Sequence, residues 1–114
     1  MIVDDNPAMR QMIREFCAPY FNHIEECSNG KEAVEFFAAY LPQLVIMDIK
    51  MPVMGGIDAT KAILKNHPQA RIIVTTQCNE VWLKDEAAKA GAYLFLPKDR
   101  LFEIVNIFSK REIK

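Results

Sequence analysis

Short apolar runs alternate with longer segments of helical periodicity along the whole chain. The runs predict buried strands at residues 1–3, 23–27, 44–47, 72–75 and 93–96. Apolar residues in the intervening segments recur every three or four positions, as they do on the buried face of an amphipathic helix. This alternation is typical of βαβ units, whose right-handed crossovers build a parallel sheet with helices on both faces. The pattern therefore predicts an α/β fold with a doubly wound, five-stranded parallel sheet.

The same pattern predicts where the helices begin and which residues they bury. Asn6 and Pro7 supply a cap and a first-turn proline for the first helix. The fourth and fifth helices are expected at 80–90 and 101–110. The predicted inward-facing residues are Met9, Met12, Ile13, Phe16, Ala33, Val34, Phe37, Ala38, Ile57, Thr60, Ile63, Leu64, Phe102 and Val105, with either Phe108 or Ser109 completing the last helix. Trp82 is interpreted as a partly buried core residue in preference to an exposed anchor.

Length and composition describe a single compact unit. The chain has 114 residues, of which 51% are hydrophobic and 25% are charged, as in an ordinary globular domain. We therefore expect one domain over residues 1–114, without an output domain of its own. Only three residues precede Asp4, fewer than a typical strand contains. The first strand is thus either clipped at its start or unusually short.

Charge and cysteine content narrow the class of protein. The formal net charge is −1, which argues against direct binding of nucleic acid or of an anionic membrane. No apolar run reaches the roughly 20 residues that span a bilayer, and no basic-then-apolar leader opens the chain. Cys17, Cys27 and Cys78 form no Cys-x-x-Cys pair, which favours free thiols in a reducing compartment. We expect a cytoplasmic protein.

Residues able to do chemistry stand at the carboxyl ends of four predicted strands. They are the pair Asp4 and Asp5, then Asp48, Thr76 and Lys98. In doubly wound sheets, ligands bind outside these strand ends, where the strand order reverses. Each residue alone has an ordinary interpretation as a cap, turn or surface residue. Their joint placement at one edge of the sheet is what favours a functional site.

The residue types at this edge suit phosphoryl chemistry. Crowded carboxylates repel one another, and a divalent cation relieves that repulsion. Mg²⁺ prefers carboxylate oxygens and leaves positions for phosphate oxygens. An aspartate can attack phosphorus and form an aspartyl phosphate. Lys98 would then pair with one phosphoryl oxygen, and the Thr76 hydroxyl would donate a hydrogen bond to another.

Four segments resemble the motifs of response-regulator receiver domains. They are IVDDNP at 2–7, VIMDIKMPVMGG at 45–56, IIVTT at 72–76 and GAYLFLPKD at 91–99, in the family's order and spacing over essentially the whole chain. The resemblance implies the flavodoxin-like receiver fold with strand order 2-1-3-4-5. One departure is Gln77, where the family usually has a small residue.

The resemblance also implies which residues hold the phosphoryl group and the metal. Asp48 would be the phosphoacceptor and a ligand of Mg²⁺. Asp5 would ligate the ion directly, whereas Asp4 would act mainly through water. The backbone carbonyl of Lys50 would be a further protein ligand.

The resemblance implies, in addition, how the state of the site would be communicated. Thr76 and Lys98 would sense the phosphoryl group, and Phe95 would occupy the aromatic switch position. The surface expected to change is formed by the fourth helix, the fifth strand and the fifth helix. Expected partners are a sensor histidine kinase or phosphotransfer protein, an output domain or partner protein, and a second copy of the chain through the switched surface. The chain would assist its own phosphorylation and dephosphorylation without being a turnover enzyme.

Two alternatives remain at this point. One is a pseudo-receiver that binds partners without phosphate. The other is an aspartate-nucleophile phosphatase of the haloacid-dehalogenase type. That type needs a second aspartate two residues after the nucleophile, where this sequence has Lys50.

Overall fold

The computed structural model describes residues 1–77 and 81–109. Within these ranges strands and helices alternate as the hydrophobic pattern predicts. The elements, in chain order, are β1 (Ile2–Val3), α1 (Pro7–Cys17), β2 (Glu26–Cys27), α2 (Gly30–Tyr40), β3 (Val45–Asp48), α3 (Gly56–Asn66), β4 (Ile72–Thr76), α4 (Val81–Ala90), β5 (Leu94–Pro97), a 3-10 helix (Lys98–Glu103) and α5 (Ile104–Ser109). Cys78, the predicted helix start at Glu80 and the predicted helix end at Lys110 lie outside the described residues.

The strands form one parallel sheet in the order β2-β1-β3-β4-β5. Both the predicted doubly wound class and the strand order implied by the resemblance are confirmed. The order reverses between β1 and β3, and a crevice opens at such a point beyond the carboxyl ends of the strands. The register pairs Val3 with Met47 and Asp48 with Thr75, so that β1, β3 and β4 end at nearly the same level.

Helices cover both faces of the sheet, and each face has its own core. On one face, α1, the 3-10 helix and α5 pack over Ile46 and Ile73. On the other face, α2, α3 and α4 pack over Met47 and Val74. Successive strand residues therefore alternate between two buried faces, as parallel strands in a three-layer fold must. This explains why β3 and β4 are continuous apolar runs up to their polar ends.

The helix that follows β1 begins where the sequence predicts. The side chain of Asn6 accepts hydrogen bonds from the backbone N–H groups of Ala8, at 2.9 Å, and Met9, at 3.3 Å. Pro7 occupies the first helical position, where a missing N–H costs nothing. The cap fixes the path of the chain between Asp4 and α1.

Three predicted inward-facing positions are wrong. Phe102 and Trp82 are 59% and 58% exposed, and Ala38 is also exposed. Phe102 fails because the segment before α5 is a 3-10 helix, whose shorter turn shifts the helical phase and buries Leu101 instead. Ala38 lies one position beyond the face of α2 that buries Phe37. Trp82 lies on the outer side of α4, where the neighbouring Leu83 takes the buried position.

No helix in the described part of the chain is long and apolar enough to cross a bilayer.

Candidate functional site

Lys98 joins the two buried acids at the carboxyl edge of the sheet. Its Nζ lies 2.9 Å from Asp4 Oδ2 and 3.2 Å from Asp48 Oδ1. Asp4 follows β1, Asp48 is the last residue of β3, and Lys98 follows β5. The three residues thus come from three strands, and the lysine side chain spans β4 to reach them. The structure thus brings these three predicted site residues together at one edge of the sheet.

Asp4 is held rigidly by its neighbours. It is fully buried, and its Oδ1 accepts a hydrogen bond of 2.9 Å from the backbone N–H of Asn6. Arg10 donates a hydrogen bond of 2.6 Å to the Asp4 carbonyl oxygen and pairs with Glu26 at 3.0 Å. Arg10 is not among the site residues predicted from the sequence. The only sequence signal for it is a cation in the first turn of the helix that follows the acidic pair.

The carboxylates of Asp4, Asp5 and Asp48 form a compact group. One oxygen from each lies within 4.8 Å of the others. Asp5 is exposed, whereas the other two are buried, so the group is open to solvent on one side. Three oxygen donors on an open edge fit the requirements of Mg²⁺, which keeps several waters and accepts substrate phosphate oxygens.

Burial and charge shift the protonation equilibria of the site. Burial, and then the negative charge of Asp4, raise the pKa of Asp48 from 3.8 to about 6, with Lys98 acting in the opposite direction. Burial alone would lower the pKa of Lys98, but its contacts with Asp4 and Asp48 raise that pKa above the ordinary value. Lys98 therefore stays positively charged near neutral pH. Its single charge does not balance the negative charge of the three carboxylates.

This shift predicts how stability depends on pH in the metal-free protein. A carboxyl whose pKa is higher when folded binds its proton more tightly in the native state, so its ionisation opposes folding. We expect the free energy of unfolding of the wild type, relative to Asp48→Asn, to fall between pH 4 and pH 6. The total fall is at most about 3 kcal/mol, from the 1.36 kcal/mol that one pKa unit represents. Urea denaturation of both proteins across this range measures the difference. If the unfolding free energy of the wild type relative to Asp48→Asn stays constant or rises with pH, the pKa of Asp48 is not raised by folding.

The remaining predicted site residues lie around this centre. Thr76 is buried as the last residue of β4, one position beyond the residue paired with Asp48. Phe95 on β5 is half-buried and packs on the same face of the sheet as Val74. Alternation along β4 places Thr76 on that face also. Lys50 is exposed in the loop after β3, next to the acidic group in sequence.

A glycine allows the loop after β3 to fold back over the end of that strand. A Cβ atom on Gly56 would lie 1.9 Å from the Asp48 carbonyl oxygen, far inside van der Waals contact. The Gly56 N–H donates a hydrogen bond of 2.8 Å to the Ile49 carbonyl, which closes the loop. Only glycine permits this approach, so the start of α3 sets the position of the Asp48 backbone.

Gly56→Ala should therefore be much more damaging than Gly55→Ala. A Cβ on Gly55 would meet only the Ile49 carbonyl oxygen, at 3.0 Å, and the φ of Gly55 is −75°. We expect the free energy of unfolding to fall by about 2–4 kcal/mol for Gly56→Ala and by less than about 1 kcal/mol for Gly55→Ala. Chemical denaturation monitored by circular dichroism provides the comparison. Equal losses would show that the close backbone approach is not the cause.

A cleft opens beside Lys98, between α1 and the end of β5. It has a volume of about 340 Å³ and is lined by Met9, Gln77, Lys98 and Asp99. A second, more apolar cavity of about 350 Å³ lies at the opposite end of the sheet, beside Tyr20. We assign chemistry to the first cleft because the charged groups lie there.

Comparison with known proteins identifies the family of this chain. The response regulator receiver domain family matches residues 1–108. The chemotaxis protein CheY of Thermotoga maritima is 41% identical over 96% of this chain and 96% of its own length. The corresponding Bacillus subtilis protein is 40% identical over 93% and 92%. The crystal structure of the CheX-CheY-BeF3-Mg²⁺ complex from Borrelia burgdorferi superimposes with a TM-score of 0.85 at 27% identity, covering 99% of this chain and 87% of that one. The chain therefore belongs to the response-regulator receiver domain family.

Proposed function

We propose that this receiver domain is a phosphorylation switch in which Asp48 accepts a phosphoryl group. The observation that carries the proposal is the position of Asp48 within the acidic group, 3.2 Å from Lys98. A carboxylate with pKa about 6 is mostly ionised at neutral pH and is a competent nucleophile. The donor would be a phosphohistidine on a sensor histidine kinase or a phosphotransfer protein.

In the proposed reaction, a carboxylate oxygen of Asp48 attacks phosphorus, and the phosphorus–nitrogen bond to the donor histidine breaks. The electron pair of that bond stays on the histidine nitrogen. Lys98 pairs with a phosphoryl oxygen, which compensates part of the added charge. A bound Mg²⁺ supplies further positive charge to the reacting oxygens. Asp5, Asp48 and the Lys50 carbonyl would be its direct ligands, and Asp4 would act mainly through water.

The added phosphoryl group would act on the rest of the protein through Thr76 and Phe95. A hydrogen bond from the Thr76 hydroxyl to a phosphoryl oxygen would draw that side chain toward Asp48. Because Thr76 and Phe95 share one face of the sheet, this movement frees space into which the ring turns. Phosphorylation would thus bias a two-state element by a local change of charge.

The surface proposed to change is unusually apolar. Val81 and Trp82 on α4, Tyr93 before β5 and Phe102 in the 3-10 helix are 76%, 58%, 42% and 59% exposed. Exposed aromatic residues are typical anchors of protein interfaces. We propose that this surface binds an output domain or a partner protein, with a second copy of the chain as a further partner. The likeness to chemotaxis proteins favours the partner protein.

The proposed metal site predicts that Mg²⁺ stabilises the fold. At a concentration ten times its Kd, a ligand of the native state adds about 1.4 kcal/mol to the free energy of unfolding, and the thermal midpoint should rise by roughly 5 °C. Asp5→Asn should lose this rise, while Asp58→Asn should keep it, because Asp58 is an exposed carboxylate on α3. Differential scanning fluorimetry with Mg²⁺ and with EDTA measures both. An equal rise of the thermal midpoint in the two variants would show that Mg²⁺ does not bind at Asp5.

The test of the proposed function is phosphoryl transfer from acetyl phosphate. We expect the intact mass to increase by one phosphoryl group with Mg²⁺ and to remain unchanged with EDTA. No incorporation in either condition would favour a pseudo-receiver. Continuous release of phosphate from a phosphate ester would favour the phosphatase alternative.

A further inference from the structure

Thr75 carries a buried hydroxyl that has no hydrogen-bond partner within the described residues. The side chain is fully buried, and its Oγ1 forms no hydrogen bond with any described residue. An unpaired polar group in a protein interior costs free energy, and native structures contain few of them. Thr75 lies in β4, directly beside β3, which carries the proposed phosphoacceptor Asp48. An unpaired hydroxyl at this place suggests a functional role.

The sheet register places Thr75 between Asp48 and the strand that carries Lys98. Thr75 pairs with Asp48 on β3 and with Leu96 on β5. Residues paired in this way project from the same face of the sheet. Leu96 and Ile73, two residues before Thr75, belong to the core beneath α1 and α5, which identifies that face. Thr76 projects from the opposite face, so the two threonines have different surroundings.

The side chain of Lys98 must cross β4 to reach its partners. Lys98 follows β5, two residues after Leu96, and its Nζ contacts Asp48 and Asp4 on the far side of β4. Thr75 is the β4 residue at the level of Asp48 and on the same face. The register therefore places Thr75 on the β4 segment that the lysine side chain crosses, although no hydrogen bond joins the two in this structure.

We propose that Thr75 is a positioning residue for Lys98 during phosphorylation, an inference that rests on the function proposed for Asp48. An ammonium group has three donors, and its two carboxylate partners account for only part of them. When Lys98 turns from Asp4 to an incoming phosphoryl oxygen, the Thr75 hydroxyl accepts a hydrogen bond from Nζ. This bond keeps the ammonium on the Asp48 side of the site.

Thr75→Val tests the proposal, because valine has the shape of threonine without the hydroxyl, and Thr75→Ser is the control that keeps it. We expect the valine variant to have a higher thermal midpoint than the wild type, since the unpaired hydroxyl is gone. Its rate of phosphorylation by acetyl phosphate, in the presence of Mg²⁺, should be about 3- to 10-fold lower. This is the change in rate expected from the loss of one hydrogen bond. The serine variant should be phosphorylated within about twofold of the wild-type rate.

A double-mutant cycle with Lys98→Met distinguishes positioning from a general structural effect. If Thr75 acts through Lys98, Thr75→Val should not slow phosphorylation further in the Lys98→Met background. An equal slowing in both backgrounds, or a wild-type rate for Thr75→Val alone, would overturn the inference. Failure of the wild type to be phosphorylated would instead refute the function proposed for Asp48, so the two failures are distinguishable.

Discussion

Asp48→Asn will reduce phosphoryl incorporation from acetyl phosphate to background while leaving the fold intact. An amide oxygen is a poor nucleophile toward phosphorus, and asparagine removes the negative charge that the reaction requires. The fold should tolerate the change because ionisation of Asp48 opposes folding. Asp48 is only 5% exposed, and the negative charge of Asp4 lies beside it. Mass spectrometry reports incorporation, and far-ultraviolet circular dichroism reports the fold.

The matched control for this experiment is Asp58→Asn. Asp58 is exposed in the first turn of α3 and is not part of the acidic group. This variant should be phosphorylated at the wild-type rate. Incorporation into Asp48→Asn at more than background would mean that another residue accepts the phosphoryl group. Loss of incorporation in both variants would point to an indirect effect of carboxylate removal.

Lys98→Met will destabilise the metal-free protein by about 3–5 kcal/mol at pH 7, because two buried carboxylates lose their only described cation within 4 Å. The side chains of Asp4 and Asp48 are only 1% and 7% exposed, so solvent compensates little of their charge. Without Lys98 the pKa of Asp48 rises further, since the lysine is what lowers it. The deficit should therefore shrink as the pH falls toward 5 and Asp48 becomes protonated.

Urea denaturation at pH 7 and pH 5 tests this prediction, with Lys61→Met as the control. Lys61 is an exposed lysine on α3, and its replacement should change the free energy of unfolding by less than about 0.5 kcal/mol. Saturating Mg²⁺ should restore part of the stability of Lys98→Met at pH 7. A deficit of less than about 1 kcal/mol, or one that grows on acidification, would show that Lys98 does not compensate the acidic group.

The sequence predicts the parts of this fold that depend on local pattern and connection rules. The apolar runs before Asp48 and Thr76 identify β3 and β4, and right-handed crossovers bring their ends to one edge of the sheet. The positions of Asp4 and Lys98 follow from the same rule. Phe102 was predicted wrongly because helical periodicity cannot reveal a 3-10 segment, whose turn length differs from that of an α-helix.

Features that depend on register or on side-chain packing could not be predicted from the sequence. The contact of Lys98 with Asp4, and the place of Thr75 between Asp48 and Leu96, both require the pairing of β3, β4 and β5. The hydrogen bond of Arg10 to the Asp4 carbonyl requires the orientation of α1 on the sheet. The sequence shows that position 56 is a glycine, but it does not show that the Asp48 carbonyl oxygen leaves no room there for a side chain.

The most direct test of the proposed switch identifies which residue is phosphorylated in the wild-type protein. After incubation with acetyl phosphate and Mg²⁺, borohydride reduces an aspartyl phosphate to homoserine, which peptide mass spectrometry locates. Homoserine at position 48 alone, and only when Mg²⁺ is present, is the predicted result. Homoserine at Asp4 or Asp5, or a phosphoryl group on His23 or His67, would contradict the account.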